Sequence, residues 1–96
     1  MRVSNYLRET ILKAINKSFG ACEVVLFGSR VDDNKRGGDF DIAIKSNISK
    51  QEFREAKVQF FKQLVLNDLS LPIDLIAYNY ANETLKKEID TKGVKL

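Results

Sequence analysis

The sequence predicts one α/β domain of the α+β kind over residues 1–96, with elements in the order α-β-β-α-β-α. Two segments, 4–19 and 49–66, carry apolar residues at helical spacing. Three shorter runs, EVVLF, DFDIAIK and LPIDLIAY, are continuously apolar or alternate with a period of two, as strands do. A chain of 96 residues holds one modest core and not two, so a large ligand site borrows a partner's surface.

Each element has its own signal. In the first helix Leu7, Ile11, Leu12, Ile15 and Phe19 share a face, with Ser4 placed as N-cap and Gly20 as C-terminal stop. Residues 23–27 form a β-branched apolar run ended by Gly28, which reads as a central strand buried on both faces. Polar residues 30–38 follow as a loop ending in Gly37-Gly38. In DFDIAIK the alternation puts Phe40, Ile42 and Ile44 on one face and Asp39, Asp41 and Ala43 on the other. The second helix, 49–66, starts at the cap Ser49 and is expected to turn Phe53, Ala56, Phe60, Phe61, Leu64 and Val65 toward the sheet. Pro72 is tolerable at the start of the third strand. A last, shorter helix over 82–90 has Leu85 and Ile89 as its apolar face, with Gly93 past its end.

Composition narrows the chemistry. The net charge of +3 comes without a Lys/Arg block, so it suits a polyphosphate or an acidic partner and does not point to nucleic acid as a direct substrate. The one cysteine, Cys22, permits no intramolecular disulfide and reads as a small buried or half-buried residue. The absence of His removes imidazole acid–base chemistry and the Ser/His and Cys/His nucleophile pairs. Carboxylates, hydroxyls, Lys and Arg are left. The start MRVSNYLRET has no apolar signal core, and no apolar run approaches the roughly 20 residues that span a bilayer. A cytoplasmic protein with no membrane partner is expected.

One constellation stands out. Asp39 and Asp41 share a strand face roughly 6.5–7 Å apart, and a paired neighbouring strand lies roughly 4.8 Å away. In PIDLIA, Asp74 points opposite to Ile73 and Leu75, so it can close a triangle with the other two if the strands pair. Three such carboxylates repel one another unless a divalent cation lies between them. Mg²⁺ takes oxygen ligands, and a pair of such ions clamps an in-line phosphoryl displacement. Gly28-Ser29, just after the central strand, lets the backbone approach an anion and adds N–H groups and a hydroxyl. Arg30, Lys35 and Arg36 could add positive charge, although Lys35 and Arg36 read better as solvent-facing. Asp32 and Asp33 read as turn caps, and Phe53, Phe60 and Phe61 as core. Tyr78 and Tyr80 pack past the third strand or edge a base pocket or partner interface.

FGSR, then GGDFDIAI after a short loop, then IDLI on a later strand: this set resembles the minimal nucleotidyltransferases of the DNA polymerase β superfamily. It is most similar to the small MNT-type antitoxins encoded beside HEPN-domain toxins. The resemblance implies a small mixed sheet packed against helices, Mg²⁺ dependence with Mn²⁺ as a substitute, and transfer of AMP from ATP to a hydroxyl with release of pyrophosphate. By position, it implies that Gly28, Ser29 and Arg30 bind the nucleotide phosphates. Asp39, Asp41 and Asp74 are implied as metal ligands, with Asp74 also helping to activate the acceptor. The implied partner is a HEPN-domain toxin whose tyrosine is modified. Two other readings stay open: an antitoxin that neutralises by binding alone, and a small-molecule nucleotidyltransferase. The loop VDDNKRGG departs from the family pattern, with Asp32 and Asp33 near the place of a glycine and Gly38 in place of a serine before the first aspartate.

Overall fold

The computed structural model describes residues 4–28, 40–69 and 72–96. The elements are α1 (Asn5–Phe19), β1 (Glu23–Phe27), β2 (Phe40–Lys45), α2 (Lys50–Leu66), β3 (Ile73–Ala77), a 3₁₀ turn (Tyr78–Tyr80), α3 (Glu83–Lys92) and β4 (Val94–Lys95). The caps fall where the sequence puts them. Ser4 accepts from the Leu7 amide at 3.1 Å, Gly20 caps the end of α1, and Asn82 caps α3. At the start of α2 the Glu52 amide donates to Ser49 Oγ at 3.1 Å and the Ser49 amide donates to Glu52 Oε1 at 2.9 Å, a reciprocal capping box.

That box sets a pH dependence. Hydrogen bonds from the Ser49 backbone and side chain hold the Glu52 carboxyl below the ordinary glutamate range. A carboxyl depressed in the folded state adds stability above its unfolded pKa and loses it as pH falls through the lowered value. Glu52→Gln is therefore expected to flatten the acid limb of a melting-temperature-versus-pH curve. Ser49→Ala should cost about 1 kcal/mol in urea unfolding at neutral pH.

The sheet order is β3-β2-β1-β4. β1 pairs antiparallel with β2 and with β4, and β2 pairs parallel with β3 across the α2 crossover. The sheet is thus mixed. β1 lies inside it, and only Glu23 in that strand is exposed, as its unbroken apolar run requires.

Alternation divides the side chains between two cores. Val24, Leu26, Phe40, Ile42, Ile44, Ile73 and Leu75 meet α1 and α2 through Ile11, Ile15, Phe60 and Leu64. On the other face Val25, Phe27 and Ala43 meet Ile89 of α3, with Ile76, Tyr78 and Leu85 packed against them. No helix among the described residues is long and apolar enough to cross a membrane.

Two expectations need correction. The element order does not end at the last helix: Gly93 leads into β4, which pairs with Val25 and Leu26 of β1. Leu96 then enters the larger core, its amide bonded to the Val24 carbonyl at 2.9 Å and its carbonyl to the Arg8 guanidinium at 2.8 Å. Glycine is needed at 93 because a Cβ there would meet the Ile89 carbonyl and the Val25 side chain. A two-residue strand is too short for periodicity to reveal. The second correction is Val65, which is 71% exposed rather than turned to the sheet. Leu64, one position earlier, takes the core site.

Candidate active site

The register of the sheet builds the site. Val25 lies opposite Ala43, and Ala43 opposite Ile76, forming a row that packs on α3. Two residues further along, the next row on this face is Phe27, Asp41 and Asp74. The carboxylates therefore sit one step, roughly 6.5–7 Å, beyond the last wholly apolar row. The hydrophobic alternation that fills the core with Phe40, Ile42 and Leu75 is what turns Asp41 and Asp74 the other way. Asp41 is half-buried and Asp74 is exposed.

Gly28 follows β1 directly and has φ +80°. It is needed there twice over. The left-handed conformation is costly for residues with a Cβ, and a Cβ at this position would run into the Asp41 carboxylate. The chain end of β1 is thus pressed against one of the two aspartates. Gly28→Ala should lower stability by about 1–2 kcal/mol through the left-handed strain. Thermal melts measure the loss.

Cα atoms of directly paired residues on neighbouring strands are roughly 4.8 Å apart, and like charges placed so are destabilising. One compensation is visible. Lys57 on α2 reaches the strand edge, with Nζ 3.9 Å from Asp74 Oδ1 and both side chains substantially exposed (37% and 52%). An ion pair this open contributes little to stability. The sequence reading missed Lys57. Its signal is the stripe Lys50, Arg54, Lys57 at i, i+4, i+7, which marks one edge of the helix.

The donor set suits a hard cation: two carboxylates on adjacent strands at one register, facing away from the main core and beside a glycine that leaves room. The described residues contain no group of three potential metal-ligating side chains. Asp39, the third expected ligand, lies outside the described residues, as do Ser29, Arg30, Lys35, Arg36, Asp32, Asp33 and the rest of the 30–38 loop.

Tyr78 and Tyr80 are held in the fold. The Tyr78 hydroxyl donates to Asp90 at 2.8 Å, and that bond pushes its pKa up. Lys45 lies 4.5 Å from the Tyr78 ring centroid and 3.7 Å from Asp90. Tyr80 donates to the Ile48 carbonyl at 2.8 Å. Cys22 is partly buried, and burial raises its thiol pKa.

A family model described as polymerase beta, nucleotidyltransferase matches residues 9–96, nearly the full length. The chain belongs to the polymerase beta nucleotidyltransferase family. Among solved structures, this nucleotidyltransferase is similar to a toxin–antitoxin complex with AMP-PNP, at 21% identity and TM-score 0.67 over 91% of this chain and 69% of that one. It is similar also to an MntA–HpeT toxin–antitoxin mutant, at 20% identity and TM-score 0.66 over 91% and 69% of the two chains. A third is a tri-AMPylated Shewanella oneidensis HEPN toxin in complex with its MNT antitoxin, at 21% identity and TM-score 0.61 over 91% and 66%. At these identities the likeness establishes the nucleotidyltransferase fold. No curated protein sequence matches the chain.

Proposed function

We propose that this nucleotidyltransferase transfers AMP from ATP to a tyrosine hydroxyl of a HEPN-domain toxin and so acts as its antitoxin. The observation that carries the reading is the shared register of Asp41 and Asp74 beside Gly28. A family member that kept the fold only for binding has no need of two like charges held side by side. The relatives solved with AMP-PNP and with a tri-AMPylated HEPN toxin support the choice of nucleotide and partner.

In this reading Asp39, Asp41 and Asp74 hold Mg²⁺, with Mn²⁺ as a substitute, and Gly28, Ser29 and Arg30 hold the triphosphate. The ions, when bound, neutralise phosphate charge and position the α-phosphate for in-line attack. The chain's own residues do the rest. The N–H groups after Gly28 orient the phosphates, and Phe27 closes the apolar side of the row. Asp74, the more exposed carboxylate, faces the incoming hydroxyl and takes its proton. The acceptor oxygen forms its bond to the α-phosphorus as the bond to pyrophosphate breaks, and pyrophosphate leaves with the electron pair.

The test incubates the protein with Mg²⁺, α-labelled nucleoside triphosphates and the HEPN-domain product of the neighbouring gene. Label should appear on that protein from ATP and vanish with EDTA or in an Asp39→Asn, Asp41→Asn double variant. Neutralisation of the toxin without label, unaffected by the double variant, would sink the proposal in favour of binding alone.

A further inference from the structure

Lys57 is fixed at its root and loose at its tip. Ala56 beside it and Phe60 three residues on are buried in α2, so the backbone that carries the lysine is held against the sheet. The side chain is 37% exposed and ends with Nζ 3.9 Å from Asp74 Oδ1. α2 packs on the face of the sheet opposite to Asp74, and β3 is an edge strand. The lysine therefore meets the carboxylate around the open side of the sheet.

Asp74 lies beside Asp41 at the same register of two paired strands, where like charges oppose each other. Among the described residues, Lys57 is the one cation within ion-pair distance of Asp74. Until a metal binds, the lysine balances part of the charge that the metal would neutralise. A divalent cation entering between the aspartates is attracted by both carboxylates and repelled by the ammonium on one of them. A unit charge at such range weakens the binding of a dication about fivefold to tenfold. A triphosphate changes this balance by bringing negative charge to the same place. Lysine has a flexible four-carbon stem and three donors, so it can leave Asp74 for a phosphate oxygen.

We propose that Lys57 makes metal binding at Asp41 and Asp74 conditional on the nucleotide, serving as the counter-ion of Asp74 until a triphosphate draws it away. The inference rests on the reading that these aspartates hold a divalent cation, and it adds a residue outside the FGSR and GGDFD segments to that site. Its consequence is cooperativity: the metal alone binds poorly, and metal and nucleotide each strengthen the other.

Electron paramagnetic resonance of free Mn²⁺ measures the dissociation constant of the ion, with and without a non-hydrolysable ATP analogue, and needs no turnover. Lys57→Met should bind Mn²⁺ about fivefold to tenfold more tightly than the wild type without nucleotide, and should lose that gain when the analogue is present. Lys57→Arg keeps the charge and should follow the wild type. Lys62→Met removes the same charge from the same helix, on its outer face and about 140° round from Lys57, and should change neither constant. Circular dichroism of each variant controls for folding.

The proposal is overturned if Lys57→Met binds Mn²⁺ alone no more tightly than the wild type, if its gain persists with the analogue, or if Lys62→Met matches it. Those results leave the metal reading standing as long as wild-type protein with the analogue takes up Mn²⁺ and Asp41→Asn does not. Uptake by none of the proteins sinks both.

Discussion

Asp41→Asn is expected to lower the proposed AMP transfer on the order of 10³-fold while leaving the circular dichroism spectrum unchanged. The substitution keeps shape and removes one charge from the row Phe27, Asp41, Asp74. Metal-assisted charge neutralisation supplies several kcal/mol in a phosphoryl transfer, and each ~1.4 kcal/mol is a factor of ten in rate. Single-turnover measurements with labelled ATP at saturating Mg²⁺ separate this from weakened substrate binding. Lys57→Ala is the contrasting case. Its ion pair with Asp74 is open to solvent, so its loss should change the rate by less than about tenfold.

Phe60→Ala is expected to cost about 3–5 kcal/mol, a large share of the 5–15 kcal/mol that holds a typical domain folded. Phe60 is fully buried between α2 and the sheet, with the Phe61 ring 5.2 Å away edge-on. Ile11, Ile15, Leu26, Ile42 and Ile44 in the same core are also fully buried, so the ring's space cannot be refilled without moving backbone. Urea unfolding followed by far-UV circular dichroism measures the loss directly. Val65→Ala, five positions on, should stay within about 0.5 kcal/mol because that side chain faces solvent.

The contrast between those two positions also explains what the sequence could and could not convey. The run FFKQLVL is so apolar that helical spacing alone does not say which residues face inward. Packing against β1 and β2 decides, and it selects Phe60 and Leu64 over Val65. Strand β4 was invisible for the opposite reason: two residues carry too little pattern. The facing of Asp41 and Asp74 was legible because strand alternation is strict and because a parallel crossover through one helix places β3 beside β2. Lys57 was not legible, since its nearness to Asp74 depends on how far α2 extends toward the sheet edge. Gly28 showed as a strand terminator, but its close fit against Asp41 is a tertiary fact. Asp39, Ser29 and Arg30 lie outside the described residues, and their assignment rests on the spacing of FGSR and GGDFD.

In the proposed function the Asp41 and Asp74 carboxylates and the Gly28 turn together hold a metal-bound nucleotide. Crystals of the protein grown with Mn²⁺ and a non-hydrolysable ATP analogue test it most directly through the manganese anomalous signal. Anomalous density is expected between the Asp41 and Asp74 carboxylates, with the triphosphate next to Gly28. Ordered nucleotide bound elsewhere, or manganese absent from both carboxylates at saturating concentration, would contradict it.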